Sequence, residues 1–172
     1  MAYEKIAGIK CYLSPVREED ADLWANWLND LEVAIPLGDE AYRVISTEGL
    51  REWIRNIGEH THAFNIVQRD TDRLIGRCLL FALNHVNRSA MAGIFIGEKD
   101  CWGQGYGEEA LRLLLDYGFT ILNLNSVMLG VFSFNTRAIA CYKKIGFKEI
   151  GRRRQARIIG QKKYDSIYMD IL

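Results

Sequence analysis

Residues 94 to 110 read Ile94-Phe95-Ile96-Gly97-Glu98-Lys99-Asp100-Cys101-Trp102-Gly103-Gln104-Gly105-Tyr106-Gly107-Glu108-Glu109-Ala110, an apolar run that passes through three glycines into a helical pattern. The apolar run has the character of a buried strand, and Ala110, Leu111, Leu114, Leu115 and Gly118 then form one helical face. Between them Gly103, Gly105 and Gly107 alternate, so the backbone turns tightly and no Cβ keeps a ligand away from its amides. Those amides open a helix, where N–H groups lack intrahelical acceptors and the dipole favours an anion such as a pyrophosphate. The pattern is not G-x-x-x-x-G-K-[ST], because Glu108 and Glu109 follow Gly107, and a nucleotide triphosphatase is disfavoured. Nor is it the dinucleotide fingerprint G-x-G-x-x-G, and it comes after several strands instead of opening a βαβ unit.

Working outward, residues 90 to 97 read as a strand buried on both faces and 104 to 119 as the helix behind the loop. Upstream, 8 to 14 reads as a strand, 18 to 29 as a helix, 34 to 45 as a loop around Pro36, and 47 to 58 as a second helix. Segments 62 to 69 and 73 to 83 read as a hairpin across Asp70-Thr71-Asp72. Downstream follow a strand at 125 to 133, a helix at 135 to 145, and strands 147 to 159 and 163 to 171 that turn near Gly160. Antiparallel strands at both ends with helical crossovers between inner strands predict an α/β (α+β) fold: a mixed sheet covered by helices. With no repeat, no linker and only two prolines, residues 1–172 read as one domain.

Lys plus Arg and Asp plus Glu both total 22, so there is no net charge to favour nucleic acid or an anionic membrane. The apolar runs are too short to span a bilayer, and the N-terminal residues lack a leader pattern. Cys11, Cys78, Cys101 and Cys141 are scattered without C-x-x-C pairing, which fits reduced thiols and a cytoplasmic location. His60, His62 and His85 form no metal-ligand pattern, so no metal is expected.

A second motif is Asn135-Thr136-Arg137-Ala138-Ile139-Ala140-Cys141-Tyr142-Lys143-Lys144-Ile145-Gly146-Phe147. Asn135 suits an N-cap and Gly146 a C-terminal stop, while Ala138, Tyr142 and Ile145 share a face. Taken alone, a cap explains Asn135 and core packing explains Tyr142. Together with the glycine loop, however, the segment resembles the GNAT-type N-acetyltransferase superfamily, in particular the branch of ribosomal-protein N-terminal acetyltransferases and related small-amine enzymes. The superfamily's [QR]-x-x-G-x-[GA] loop corresponds to Trp102 through Gly107, with Trp102 in place of Gln or Arg. Ala21 to Val33 and Tyr164 to Leu172 resemble the ends of that branch. One departure is Met91, which stands where many members carry a glutamate early in the strand before the loop.

The resemblance implies a mostly antiparallel central sheet whose middle strands, 90 to 97 and 125 to 133, splay apart at the loop. It implies acetyl-CoA as co-substrate, with backbone near Phe95, Ile96 and Gly97 pairing with the pantetheine. Trp102, Gly103, Gln104, Gly105, Tyr106 and Gly107 would hold the pyrophosphate, Asn135 would contact the pantetheine, and Lys144 would reach a phosphate. The implied reaction is attack of an amine on the thioester. An ammonium of pKa ~10 must first lose a proton, and the leaving thiolate, whose thiol has a pKa of about 8.5, gains from an acid, the role implied for Tyr142. Cys141 lies about 100° around the helix from Tyr142 and is assigned to packing. No general base stands out: Asp39, Glu40 and His85 are available, with ordered water as the alternative. Asp39 and Glu40, in the loop after Pro36, are the candidates to bind an amine acceptor, either a protein N-terminus or a small amine. Arg152, Arg153, Arg154, Arg157, Lys162 and Lys163 read as an exposed basic strand face, with a site for an acidic protein substrate as the alternative, and open sheet edges leave room for a homodimer. The rival reading is a CoA-binding regulatory module without turnover, which the absent glutamate at Met91 keeps open.

Overall fold

The computed structural model describes residues 3–172, whose seven strands form one sheet. In chain order the elements are β1 (Cys11–Pro15), α1 (Ala21–Asn29), α2 (Leu31–Ala34), α3 (Thr47–Arg55), β2 (His62–Gln68), β3 (Leu74–Asn84) and β4 (Ser89–Ile96). There follow α4 (Tyr106–Asp116), β5 (Ser126–Phe132), α5 (Thr136–Ile145), β6 (Lys148–Ile159) and β7 (Lys162–Ile171). The spatial order is β1-β2-β3-β4-β5-β7-β6. Every neighbouring pair is antiparallel except β4 and β5.

That one parallel pair holds only at Ser89↔Ser126, Ala90↔Val127 and Met91↔Met128, while β3 stays paired with β4 as far as Gly76↔Ile96. Beyond Met91 the two central strands therefore diverge, and the sheet opens at its middle. The expected splay is present, and its position is set by where the β4–β5 ladder ends.

The strand alternation sorts side chains onto two faces. Cys78 and Leu80 of β3, Ala90 and Ala92 of β4, and Val127 and Leu129 of β5 join Ala110, Leu111, Leu114 and Leu115 of α4 in one core, with Ala138 and Tyr142 of α5 packed against it. Phe95 instead joins Trp24, Trp27 and Leu28 of α1 and Leu50 of α3 on the opposite face. Leu111 and Leu114 are fully buried, and truncating either to Ala removes both transfer energy and packing, about 2–5 kcal/mol.

Several local expectations shift. The first strand begins at Cys11, three residues later than read, and the third helix stops at Arg55. The first helix splits at Asp20, which is buried, accepts from Arg17 at 2.9 Å and from Asn65 at 2.6 Å, and closes a separate turn at Glu18–Asp20. The helix behind the glycine loop runs from Tyr106 to Asp116 and then widens into a π turn, Tyr117–Ile121, where Leu122 N–H reaches Tyr117 O at 3.1 Å. Strand β4 is buried at Ala90 and Ala92 on one face and at Phe95 on the other, but not continuously: Met91, Gly93, Ile94 and Ile96 are half-buried where the sheet opens.

Candidate active site

The opening between β4 and β5 is a cleft of about 1060 Å³ that joins the two faces of the sheet. Its walls include Met91, Gly93, Ile94, Phe95 and Ile96 of β4, the glycine loop and start of α4, and Asn135, Ala138, Cys141, Tyr142 and Lys144 of the α5 segment. Pro36 to Glu40 and Arg43 border the other side, with Arg77, Leu79 and Phe81 of β3 and Tyr168 of β7.

The backbone of β4 decides which groups face this opening. Gly97 N–H donates to Ile75 O at 2.9 Å, so residues of odd number turn their amides toward β3 and those of even number toward β5. Ile94 and Ile96 thus present N–H and C=O groups to the cleft, and the Ile96 carbonyl already accepts from the Trp102 indole at 2.8 Å. Phe95 contributes its ring, and Gly97 does not line the cleft. Gly97 is glycine because Trp27 packs on it: a Cβ there would lie 2.1 Å from the indole.

Gly103 and Gly105 adopt φ of +73° and +88°, a region that side chains avoid, and a Cβ on Gly103 would enter open space. The Trp102 amide donates to Lys99 O at 3.1 Å, and the next amide with a backbone acceptor is that of Glu109, bonded to Gly105 O at 3.0 Å. Among the described residues the amides of 103 to 108 are left for a ligand. Gln104 lies on the outer side of the loop, its side chain on Asp100 O and its carbonyl on Lys10 Nζ at 2.8 Å, so only its backbone belongs to the turn. Glu109 fastens the helix to the start of β1 through the amides of Ile9 and Lys10. The loop is consequently a braced cradle of donors beside an opened strand, an arrangement that fits a pyrophosphate joined to an extended amide-bearing arm such as that of CoA.

On α5, Asn135 caps the helix by accepting from Ala138 N–H at 3.2 Å, and its residue also lines the cleft. Tyr142 points inward beside Phe147, with ring centroids 6.0 Å apart, and its hydroxyl has no hydrogen-bond partner among the described residues. Burial pushes its pKa up to about 12, with proximity to Cys141 adding to the shift. The group therefore keeps its proton at neutral pH, as an acid for a leaving thiolate must. Cys141 is also raised by burial, which leaves it a poor nucleophile. Lys144 lies at the rim but is engaged, 2.7 Å from Glu108, and Lys144 is the largest influence holding that carboxyl below its ordinary range.

Asp39 and Glu40 open a short 3-10 turn, Asp39–Tyr42, at the opposite rim, and neither carboxylate forms an ion pair or hydrogen bond among the described residues. The structure also brings in residues the sequence did not mark. Arg137 stacks over the Trp102 ring at 4.4 Å, closing one side of the loop. Arg77 lies between Trp24, Trp53 and Phe95, 4.8, 5.0 and 5.3 Å from their ring centroids, where burial lowers its pKa and Glu40 opposes that shift. Arg77 sits in the middle of an apolar strand, and only the helices packed above it reveal its place. No group of three His, Cys, Asp or Glu among the described residues is placed to hold a metal ion. No helix among them is long and apolar enough to cross a membrane.

Comparison with known proteins agrees with this geometry. A model of the acetyltransferase (GNAT) domain matches residues 10–148. An uncharacterised N-acetyltransferase, p20, of Bacillus licheniformis is 31% identical over 141 residues, covering 79% of this chain and 78% of that protein. Spermidine N(1)-acetyltransferase of Vibrio cholerae is 33% identical over 97 residues, 56% of each chain. The crystal structure of a spermidine N-acetyltransferase from Vibrio cholerae, in complex with CoA and spermine, superposes with a TM-score of 0.84 at 25% identity, covering 94% of this chain and 95% of that one. A domain match over most of the chain and a fold shared almost end to end lead to one conclusion: the chain belongs to the GNAT acetyltransferase family and is an acetyl-CoA-dependent N-acetyltransferase that acetylates an amine.

Proposed function

We propose that the acceptor is a small amine carrying a second positive charge, of the di- or polyamine class, acetylated in the cytoplasm. The single observation that carries this reading is the pair Asp39 and Glu40: two carboxylates without ion pairs, on the rim of the cleft that Tyr142 also lines. A distal ammonium placed against them leaves the other end of a flexible diamine free to reach the thioester. The likeness to spermidine acetyltransferases supports the same class. A protein N-terminus, implied by the resemblance to the ribosomal-protein branch, is the second reading, and it too would enter past this rim.

In this reading the glycine-loop amides and the open edge of β4 hold the co-substrate, and the inward N–H of Ile94 or Ile96 donates to the developing oxyanion. Tyr142 gives a proton to the departing sulfur. Met91 lines the cleft at the position where the resemblance implies a glutamate, so the ammonium loses its proton to water, drawn through the field of Asp39 and Glu40. Lys144 contributes to the phosphate end only by exchanging its Glu108 contact for the ligand.

The test is a thiol-release assay with acetyl-CoA across diamines, polyamines and peptides. Turnover of di- and polyamines above peptides is expected, and Asp39→Ala combined with Glu40→Ala should raise acceptor KM by roughly ten- to a hundredfold while leaving acetyl-CoA affinity intact. A preference for peptides, or an unmoved KM in the double variant, rejects the reading.

A further inference from the structure

We propose that Arg157, on the edge strand β6, is a positioning residue for the acceptor: it sets the place of the segment that presents Asp39 and Glu40. Unlike the exposed Arg152, Arg153 and Arg154, Arg157 is only 4% exposed. It is thus not part of the solvated basic face that the sequence suggested. Its guanidinium donates from Nη1 to Gly38 O and from Nη2 to Ile35 O at 3.1 Å, across more than a hundred residues of sequence. The same group is sandwiched between the rings of Tyr42, at 4.4 Å, and Phe132, at 4.6 Å. Tyr42 completes the connection by donating its hydroxyl to Ile158 O at 3.1 Å.

These contacts bracket the acceptor rim. Gly38 immediately precedes Asp39 and Glu40, Ile35 lies one turn of chain earlier, and Tyr42 closes the turn behind them. The turn buries no residue of its own, so no apolar anchor inside it fixes where the carboxylates point. A planar fork meeting two carbonyls and two rings supplies that direction, which a lysine, as a flexible point charge, would not reproduce. Arg157 itself does not line the cleft, so its influence on the acceptor passes through the backbone of residues 35 to 42.

The inference rests on Asp39 and Glu40 holding the acceptor, and its test separates the two ideas. Arg157→Lys and Arg157→Met are assayed with the best amine found for the wild type. Acceptor KM should rise about tenfold or more in both, with a smaller change in kcat and with acetyl-CoA Kd by calorimetry held within about twofold. Amide hydrogen exchange over residues 36 to 43 should quicken in the same variants while the sheet stays protected. Unchanged KM in a folded Arg157→Lys, unchanged exchange over that segment, or a parallel loss of acetyl-CoA affinity each overturns the proposal. Should Asp39→Ala with Glu40→Ala leave KM unmoved, the carboxylate reading fails, and a KM rise with faster exchange in the Arg157 variants still shows that the loop is positioned for the acceptor by Arg157.

Discussion

At the scale of the residue, Tyr142 combines two properties that core tyrosines rarely share: its ring is packed and its hydroxyl lacks a partner. Tyr142 is half-buried and lines the cleft, so removing its hydroxyl takes no hydrogen bond out of the core. Tyr142→Phe should therefore leave folding intact and acetyl-CoA affinity nearly unchanged, while kcat falls roughly ten- to a thousandfold. Single-turnover kinetics, which isolate the chemical step, measure this, and an unaltered rate would return the residue to packing. The raised pKa also fixes a pH behaviour. A phenol that holds its proton up to about 12 remains an acid throughout the working range. The acceptor's kcat/KM should accordingly climb with pH as an ammonium of pKa ~10 deprotonates, with no falling limb below that point. A fall near pH 9 that disappears in Tyr142→Phe would show the tyrosine titrating early and count against the assignment.

At the scale of the element, the glycine loop is a conformation before it is a binding site. Gly105 stands at φ +88°, immediately before α4, and only Lys10 Nζ, at 3.5 Å, lies near a Cβ placed there. Gly105→Val combines a left-handed backbone with a β-branched side chain, so it should weaken CoA binding and also cost stability, at least about 1–2 kcal/mol. Gly105→Asn separates the two effects, because asparagine tolerates the left-handed region. It is expected to melt close to the wild type and still bind CoA at least about tenfold more weakly, as read by calorimetry, since it adds a side chain to a cleft-lining turn and disturbs the Lys10 contact that braces it. Wild-type affinity in folded Gly105→Asn would make the loop a connection only. The neighbouring Gly97 serves the other face of the sheet. Gly97→Ala should lower Tm through collision with Trp27, by about 1–3 kcal/mol of overpacking, without a matching loss of CoA affinity.

At the scale of the whole molecule, one cleft runs between the two layers of helices, so a ligand in it touches both. One side of the cleft is built on α4, α5 and the opened β4, the side proposed for CoA, and the other on the segment after α2, on β3 and on β7, the side proposed for the acceptor. Binding therefore adds to the contacts that already tie the two sides together, such as Lys99 with Asp30 and Glu32 and Trp27 with Glu98. Acetyl-CoA at about a hundred times its Kd should stabilise the fold by about 2.7 kcal/mol, a Tm rise of roughly 5–10 °C for a chain of this size. Differential scanning fluorimetry checks this, and a Tm insensitive to acetyl-CoA and CoA alike would contradict binding at the cleft.

The sequence by itself determined the order of elements, the mixed sheet, the glycine cradle and the capped helix that carries Tyr142. Each of these rests on local periodicity or on a residue type that only one backbone conformation accepts, as with Gly103, Gly105 and Asn135. The tertiary structure decided what depends on packing between distant segments. The early divergence of β4 from β5 selects Ile94 and Ile96, and not Phe95 or Gly97, to turn their backbone into the cleft, because the parity of a strand's amides is set by its partner in the sheet. Lys144 is drawn onto Glu108, which the sequence placed 36 residues away. Arg157, one arginine among several in an edge strand, leaves its exposed neighbours and becomes a buried clamp because Ile35, Gly38, Tyr42 and Phe132 meet around it. A linear pattern records which groups can hydrogen-bond or stack; which of them face one another is decided only when the sheet and its two helical layers close.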